Sequence, residues 1–132
     1  MEQRNSSKIE IKERRAVVRV VEKPWGRELW WAVTPAYVGK ILEVKAGQRL
    51  SLQYHKEKLE SMYFVSGSGQ FVYGEQVLTI EPGLAVTIEP GTVHRIIATS
   101  DVTVFEVSTP QVEDVVRIED AYGRSPSQAQ PV

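Results

Sequence analysis

Gly47-Gln-Arg-Leu-Ser-Leu-Gln-Tyr-His55, then Lys56-Glu-Lys-Leu-Glu60 and Ser61-Met-Tyr-Phe-Val-Ser-Gly67, is the stretch that decides the fold. It reads as a short strand, a charged turn and a second short strand. Alternate side chains of a strand share a face. Leu50, Leu52 and Tyr54 are therefore expected on one side, and Arg49, Ser51, Gln53 and His55 on the other. Four polar positions on one face either meet solvent or line a polar cavity. Glu60 follows His55 closely enough for a hairpin to return it beside the imidazole.

The same texture repeats in both directions. Ala16–Val21, Leu29–Val33, Tyr37–Val44, Leu50–Tyr54, Met62–Val65, Gln70–Tyr73, Val77–Ile80, Leu84–Ile88, Val93–Ala98, Val102–Val107 and Val115–Ile118 are rich in Val, Ile, Thr and aromatics. Pro24-Trp-Gly26, Thr34-Pro35, Ala46-Gly47, Pro82-Gly83, Pro90-Gly91 and Thr109-Pro110 punctuate them. No segment sustains a helical apolar period over three turns. Short strands at this spacing predict an all-β sandwich or small barrel, which covers or closes its sheet edges. Ser66-Gly67-Ser68-Gly69 has no helix after it, so it reads as a hairpin turn and not as a phosphate loop. Residues 1–15 are charged and expected to form a mobile arm, although Ile9 and Ile11 could join a sheet edge. Residues 16–124 are expected to form one domain, and residues 125–132 a disordered tail.

Composition narrows the chemistry. Sixteen Lys plus Arg against seventeen Asp plus Glu leave a formal charge of −1, so nothing draws the chain toward nucleic acid or anionic lipid. No apolar run approaches the ~20 residues of a spanning helix, and the first fifteen residues lack an apolar signal region. A cytoplasmic protein without nucleic-acid or membrane partners is expected. The absence of cysteine excludes disulfides, thiol nucleophiles, zinc fingers and iron–sulfur sites. Any metal would sit on His, Asp, Glu, Asn or Gln.

The chain has two histidines, His55 and His94, the second just after the turn Glu89-Pro-Gly-Thr92. Two imidazoles, the Glu60 carboxylate and the Gln53 amide oxygen can converge on a divalent ion. The alternative is that Gln53 and His55 face solvent while Glu60 pairs with Lys56 or Lys58.

Gly47-x5-Gln53-x-His55-x4-Glu60-x6-Gly67 and Gly83-x7-Gly91-x2-His94 resemble the paired motifs of the cupin superfamily, G-x5-H-x-H-x3–4-E-x6-G and G-x5-P-x-G-x2-H-x3-N. Gln53 replaces the first histidine, Ala98 takes the asparagine position, and Pro90 lies one place after the proline position, which is Glu89. Glu22-Lys-Pro-Trp-Gly26, Arg49-Leu-Ser-Leu-Gln-Tyr-His55 and Asp114-Val-Val-Arg-Ile-Glu-Asp-Ala-Tyr-Gly-Arg124 narrow the resemblance. They are similar to type II mannose-6-phosphate isomerase cupins, including the C-terminal domain of bifunctional mannose-1-phosphate guanylyltransferases. Glutamine at the first ligand position is also what phosphomannose isomerases use. Where the bifunctional enzymes read H-H-H-R-A-E-H-W, this chain reads His55-Lys-Glu-Lys-Leu-Glu-Ser-Met62, with Lys58, Ser61 and Met62 in place of Arg, His and Trp. A chain of 132 residues has no room for the nucleotidyltransferase domain, so that activity is not expected of it.

The resemblance implies a cupin-type antiparallel β-barrel (a double-stranded β-helix, or jelly roll). It implies one divalent ion on Gln53, His55, Glu60 and His94, zinc first, with manganese, iron, nickel and cobalt as alternatives. It also implies a metal-dependent sugar-phosphate isomerase that interconverts aldose and ketose through an enediol. The base is not identified by sequence; Glu43, Glu57 and Glu106 are its candidates. Lys40, Arg49, Lys56, Lys58 and Arg95 could receive the phosphate, and Arg49, Lys58 and Arg95 are carried forward as substrate-binding residues. Arg49 is favoured for sharing the Gln53/His55 face, while Arg95 should point away from His94. Two rival readings remain: a non-haem dioxygenase on two histidines and one carboxylate, and a cupin that binds metal or a small ligand without turnover. Trp25, Trp30 and Trp31 read as packing and not as sugar-stacking residues. Asp120-Ala-Tyr-Gly-Arg124 reads as barrel closure. So many strands with aromatics to spare leave an apolar sheet face to cover, so a homodimer is expected.

Overall fold

The computed structural model describes residues 15–126. The arm expected at 1–15 and the tail expected at 125–132 lie outside the described residues, except for Arg15, Ser125 and Pro126. Each apolar run of the sequence becomes a strand: β1 (Arg19–Lys23), β2 (Gly26–Val33), β3 (Val38–Val44), β4 (Leu52–His55), β5 (Glu60–Ser66), β6 (Gly69–Tyr73), β7 (Gln76–Ile80), β8 (Ala85–Ile88), β9 (His94–Ala98), β10 (Val102–Ser108) and β11 (Val115–Glu119). They form a six-stranded sheet, β1-β2-β3-β10-β5-β8, and a five-stranded sheet, β11-β4-β9-β6-β7. All pairings are antiparallel. The all-β, two-sheet expectation holds. Among the described residues no helix is long and apolar enough to cross a membrane.

Alternation builds the core and also divides it. Leu42 lies opposite Val104, and Val104 opposite Phe64, so three central strands of the six-stranded sheet present apolar side chains inward at one level. Phe71, Ile80 and Ile96 from the five-stranded sheet complete that cluster, with Trp25 and Leu50 also buried in it. Each such side chain contributes roughly 1.5–3 kcal/mol by leaving water. Phe64 and Phe71 meet edge to face, with ring centroids 5.6 Å apart. Two residues further along the same inward faces the chemistry changes: Lys40 lies opposite Glu106. Glu60 lies opposite Ser108. One end of the barrel is therefore apolar and the other is charged.

Three local expectations are corrected. Ser66–Gly69 is not a hairpin turn, because β5 pairs with β10 and β8 while β6 pairs with β7 and β9. The segment is a corner where the chain crosses between sheets. It passes so close to the 97–102 backbone that a Cβ on Gly67 (φ +100°) would lie 2.2 Å from the Asp101 carbonyl oxygen. Likewise β4 and β5 belong to different sheets, so Lys56–Leu59 is a crossing and not a hairpin. The strict alternation through Arg49–His55 also breaks. Arg49 bridges to Ile97, and Leu50 joins the core before β4 begins at Leu52.

The C-terminal signature ties down the end of the barrel. The Asp120 carboxylate accepts hydrogen bonds from the Arg124 backbone N–H (2.6 Å), Nε (2.9 Å) and a terminal guanidinium nitrogen (3.0 Å). Tyr122 donates its hydroxyl proton to Gln48 Oε1 (2.6 Å) and accepts from the Arg49 N–H (3.4 Å). The Arg124 side chain, outweighing partial burial, lowers the Asp120 carboxyl to about 2. This folded value lies below the unfolded one near 3.9. The strap therefore contributes fully above about pH 4 and is lost as pH falls toward 2. Carboxyl NMR of the native protein is expected to show Asp120 titrating near pH 2, and Arg124→Ala should return it to the ordinary range.

Candidate metal centre

Both sheets contribute to one cluster at the charged end. His55 closes β4, and His94 opens β9 directly opposite Gln53. Glu60 opens β5 in the other sheet, opposite Ser108 and Ile88. Glu60 Oε2 lies 3.3 Å from His55 Nε2 and 3.2 Å from His94 Nε2. One ligand atom from each of the three residues falls within 4.8 Å of the others. All three side chains are buried, at 4%, 2% and 2% exposure for His55, Glu60 and His94. The solvent-facing alternative for His55 is thereby excluded.

The surroundings fix which nitrogen of each ring looks inward. His94 Nδ1 lies 2.8 Å from the Thr92 carbonyl oxygen, which can only accept, so Nδ1 carries the proton. His55 Nδ1 lies 3.1 Å from Asp114 Oδ1. The second oxygen of Asp114 accepts from the backbone N–H groups of Glu57 (2.7 Å) and Lys58 (2.8 Å). Partial burial pushes the Asp114 carboxyl up, but these donors and His55 outweigh it and hold it below the ordinary value. An ionised Asp114 makes His55 Nδ1 the donor. In the neutral rings both Nε2 lone pairs therefore face Glu60. Carboxylate– and carbonyl–histidine pairs of this kind orient metal-binding imidazoles.

Among the described residues, Glu60 Oε2 and His94 Nε2 are buried without a hydrogen-bond partner. Two acceptors facing each other out of water are unfavourable unless a cation lies between them. Ligand atoms each about 2.1 Å from one ion lie about 3.0–3.4 Å apart at neighbouring tetrahedral or octahedral positions. The two carboxylate–imidazole separations fit that requirement, and the donor set suits a borderline divalent ion. The cluster can hold a metal. Gln53, expected as a fourth ligand, lies on the strand position facing His94, and its Oε1 accepts from Ser51 Oγ at 2.6 Å.

Behind the cluster runs a buried charge network. Lys58 Nζ stands 3.5 Å from Glu60 Oε1 and 3.5 Å from Glu106 Oε2. Lys40 Nζ lies 3.5 Å from Glu28 Oε1 and 4.0 Å from the Trp30 ring centroid. Trp30 Nε1 donates to the same Glu28 oxygen (2.8 Å). Burial opposes ionisation of Glu60, yet the Lys58 ammonium beside it holds its carboxyl well below the usual range. Burial would lower the Lys58 ammonium, but Glu106 and Glu60 raise it instead. For Glu106 burial wins over Lys58, and its carboxyl is raised.

The other sequence candidates separate cleanly. Lys58 is brought beside the cluster. Arg49 is exposed. Arg95 is buried, its Nε donating to the Leu50 carbonyl (2.9 Å) and its guanidinium pairing with Glu119 (3.1 Å). Lys56 and Glu57 are exposed on the crossing loop. Glu43 pairs with Arg27, beside a groove of about 510 Å³ at the far end of the six-stranded sheet. Only Glu106 of the three base candidates lies in the buried network. Trp25 and Trp30 are buried and Trp31 is exposed. Sequence reasoning missed the roles of Asp114 and Glu28. Glu28 could have been found, since it alternates with Trp30 on β2, but Asp114 lies 59 residues from His55 and carries no local signal.

A two-sheet antiparallel barrel with a His–Glu–His cluster between its sheets is a cupin. Residues 10–120 match the family described as "Mannose-6-phosphate isomerase C-terminal", and the chain belongs to that family. It is 32% identical over 112 residues to xanthan biosynthesis protein XanB of Xanthomonas campestris pv. campestris, covering 81% of this chain and 24% of that protein. It is 30% identical over 111 residues to mannose-1-phosphate guanylyltransferase ManC of Salmonella typhimurium, covering 80% and 23%. The chain thus spans about a quarter of the length of the curated relatives it matches. Among solved structures it is similar to Streptomyces PAC13 with uridine (TM-score 0.69, 14% identity, 83% and 93% covered). It is also similar to CapF of Staphylococcus aureus (TM-score 0.66, 18% identity, 78% and 34% covered). These likenesses establish the fold.

Proposed function

We propose that the chain is a metal-dependent sugar-phosphate isomerase of the mannose-6-phosphate type, moving a proton between adjacent sugar carbons. The observation that carries this reading is the pair of buried, partnerless acceptors, Glu60 Oε2 and His94 Nε2, inside a family whose description names that isomerase. His55, Glu60 and His94 hold the ion, with Gln53 as a fourth, neutral donor. When bound, a divalent ion stabilises the negative charge that develops on the sugar oxygens. Asp114 and Thr92 keep both rings turned inward. Lys58 keeps Glu60 ionised and supplies positive charge at the inner wall of the site. Glu106 is assigned the proton transfer, because it is buried beside Lys58 and burial raises its carboxyl above the ordinary value.

The test is conversion of mannose 6-phosphate to fructose 6-phosphate by the zinc-, manganese- or cobalt-loaded protein under anaerobic conditions. Turnover that depends on the ion is expected. Binding of the sugar phosphate without conversion would leave a ligand-binding cupin, and oxygen uptake by the iron form would leave an oxygenase. Glu106→Gln is expected to lower kcat about 10²–10⁴-fold while keeping the metal. Unchanged kcat would remove Glu106 from the reaction.

A further inference from the structure

The two sheets meet along two sides of the barrel. β7 and β8 are the edge strands on one side, joined by residues 81–84, so β1 and β11 are the edges that face each other across the other. Lys23 falls in step with Val21 on β1, and Arg117 with Val115 on β11. Alternation turns both inward, toward this seam. Arg124 reaches it from the C-terminal strap, where Asp120 grips the guanidinium and the Tyr122 ring centroid lies 5.8 Å away. Lys40, buried on β3, is near enough to act on Lys23.

Positive charge outnumbers negative there. Among the described residues, Lys23, Lys40 and Arg124 share two carboxylates, Glu28 and Asp120, and Arg117 adds another guanidinium. Glu28 already lies 3.5 Å from Lys40 Nζ and accepts from Trp30 Nε1 at 2.8 Å. Asp120 accepts from the Arg124 backbone N–H and from two of its guanidinium nitrogens. Burial, with Lys40, Arg124 and Arg117, lowers the Lys23 ammonium below its ordinary value, against the pull of Glu28. Burial and Arg124 lower Arg117 in the same way, against Asp120. Cations crowded together and partly out of water repel one another, and an anion between them removes that repulsion.

The seam also lies at a defined reach from the metal centre. Arg117 is opposite Gln53, and Gln53 is opposite His94. Directly opposed residues share a face, so two strand spacings, roughly 10 Å, separate Arg117 from His94. About six bonds separate C2 of an open-chain hexose 6-phosphate from its phosphorus, roughly 7–8 Å when extended. A metal–oxygen bond adds about 2 Å. We infer, on the isomerase reading, that Lys23, Arg117 and Arg124 bind the phosphate of a sugar phosphate whose carbonyl end meets the metal centre. Two guanidinium forks and an ammonium match a phosphate dianion in charge and in hydrogen bonding. The Asp120–Arg124 signature then does more than close the barrel, because it holds Arg124 at the phosphate.

Calorimetric titration of the zinc-loaded protein with inorganic phosphate and with mannose 6-phosphate tests the assignment. Lys23→Gln is expected to bind both about 10–100-fold more weakly. Lys45→Gln, an equal change of charge at an exposed position in the groove beside Arg27, is expected to bind both as the native protein does. Without phosphate, Lys23→Gln should melt no lower than the native protein, because it relieves repulsion. A lower melting temperature would mark a structural lysine and count against the site. If Lys23→Gln fails to fold, Arg117→Gln serves in its place with the same expected loss of binding. Native protein that binds neither anion, or a folded seam variant that binds as tightly as the native protein, would overturn the phosphate site. Phosphate held at the zinc alone would give that second result. Binding that depends on Lys23 in a protein that never converts mannose 6-phosphate would keep the seam as a phosphate site and remove the isomerase reading.

Discussion

Chelation of the divalent ion is expected to lower the melting temperature of the native protein by roughly 10 °C, and His94→Ala is expected to show no such response. The cause is linkage: an ion that binds only the folded chain stabilises it by about 2.7 kcal/mol at a hundred times its Kd. The folded chain assembles ligands that are otherwise distant in sequence, from β4, β5 and β9. The unfolded chain offers no comparable site. Removing one of these ligands sacrifices roughly a quarter of the binding free energy of the proposed four-ligand site, about 3 kcal/mol. His94→Ala should therefore bind at least a hundredfold more weakly and unfold at one temperature with or without chelator. Gln53→Ala should weaken retention less, because a neutral amide oxygen is the poorest donor of the set. Scanning calorimetry with and without chelator reads both effects, and equal shifts for native protein and His94→Ala would contradict the assignment.

The second large effect concerns stability alone. Lys58→Met is expected to destabilise the metal-free protein by about 3–5 kcal/mol. Lys58 is the cation within reach of both Glu60 and Glu106, 3.5 Å from each, and all three side chains are buried. Its removal leaves two carboxylates out of water without their counter-charge. Lys58→Arg keeps the charge and should cost less. Zinc should recover part of the loss in Lys58→Met, since the ion compensates Glu60 but not Glu106. The double variant Lys58→Met/Glu106→Gln, which removes one of the stranded charges, should be more stable than Lys58→Met. Urea denaturation of the four proteins measures these differences. A Lys58→Met protein as stable as the native one would mean that the network is solvated and not buried.

The strands were legible because their signal is local. Leu42 and Val44 alternate with the partly exposed Ile41 and Glu43, and the chain can satisfy that pattern only by giving β3 one fully buried face. The same alternation carries the inward charges, since Lys40 falls in step with Val38 and Leu42, and Glu106 with Val102 and Val104, but that consequence was not drawn from the sequence. Corners were less legible. Ser66–Gly69 announces a change of direction, but glycine chemistry does not say whether the next strand returns to its neighbour or crosses to the other sheet. That choice depends on the close approach of Gly67 to Asp101, a contact between distant parts of the chain.

The candidate site was legible at His55, Glu60 and His94, because two histidines in motif positions left few alternatives. Its support was not. Asp114 was visible only as the first residue of an unexplained signature. It acts through a carboxylate aimed at His55 and through the N–H groups of Glu57 and Lys58. Arg49 was misplaced because the alternation was carried through Leu50–Ser51, where the chain leaves one bridge and enters β4.

One divalent ion between the imidazoles and Glu60 should be visible by anomalous diffraction from crystals of the zinc-loaded protein. A single strong peak per chain is expected about 2.1 Å from His55 Nε2, His94 Nε2 and Glu60 Oε2. A peak elsewhere, or none at that position in zinc-saturated crystals, would contradict it.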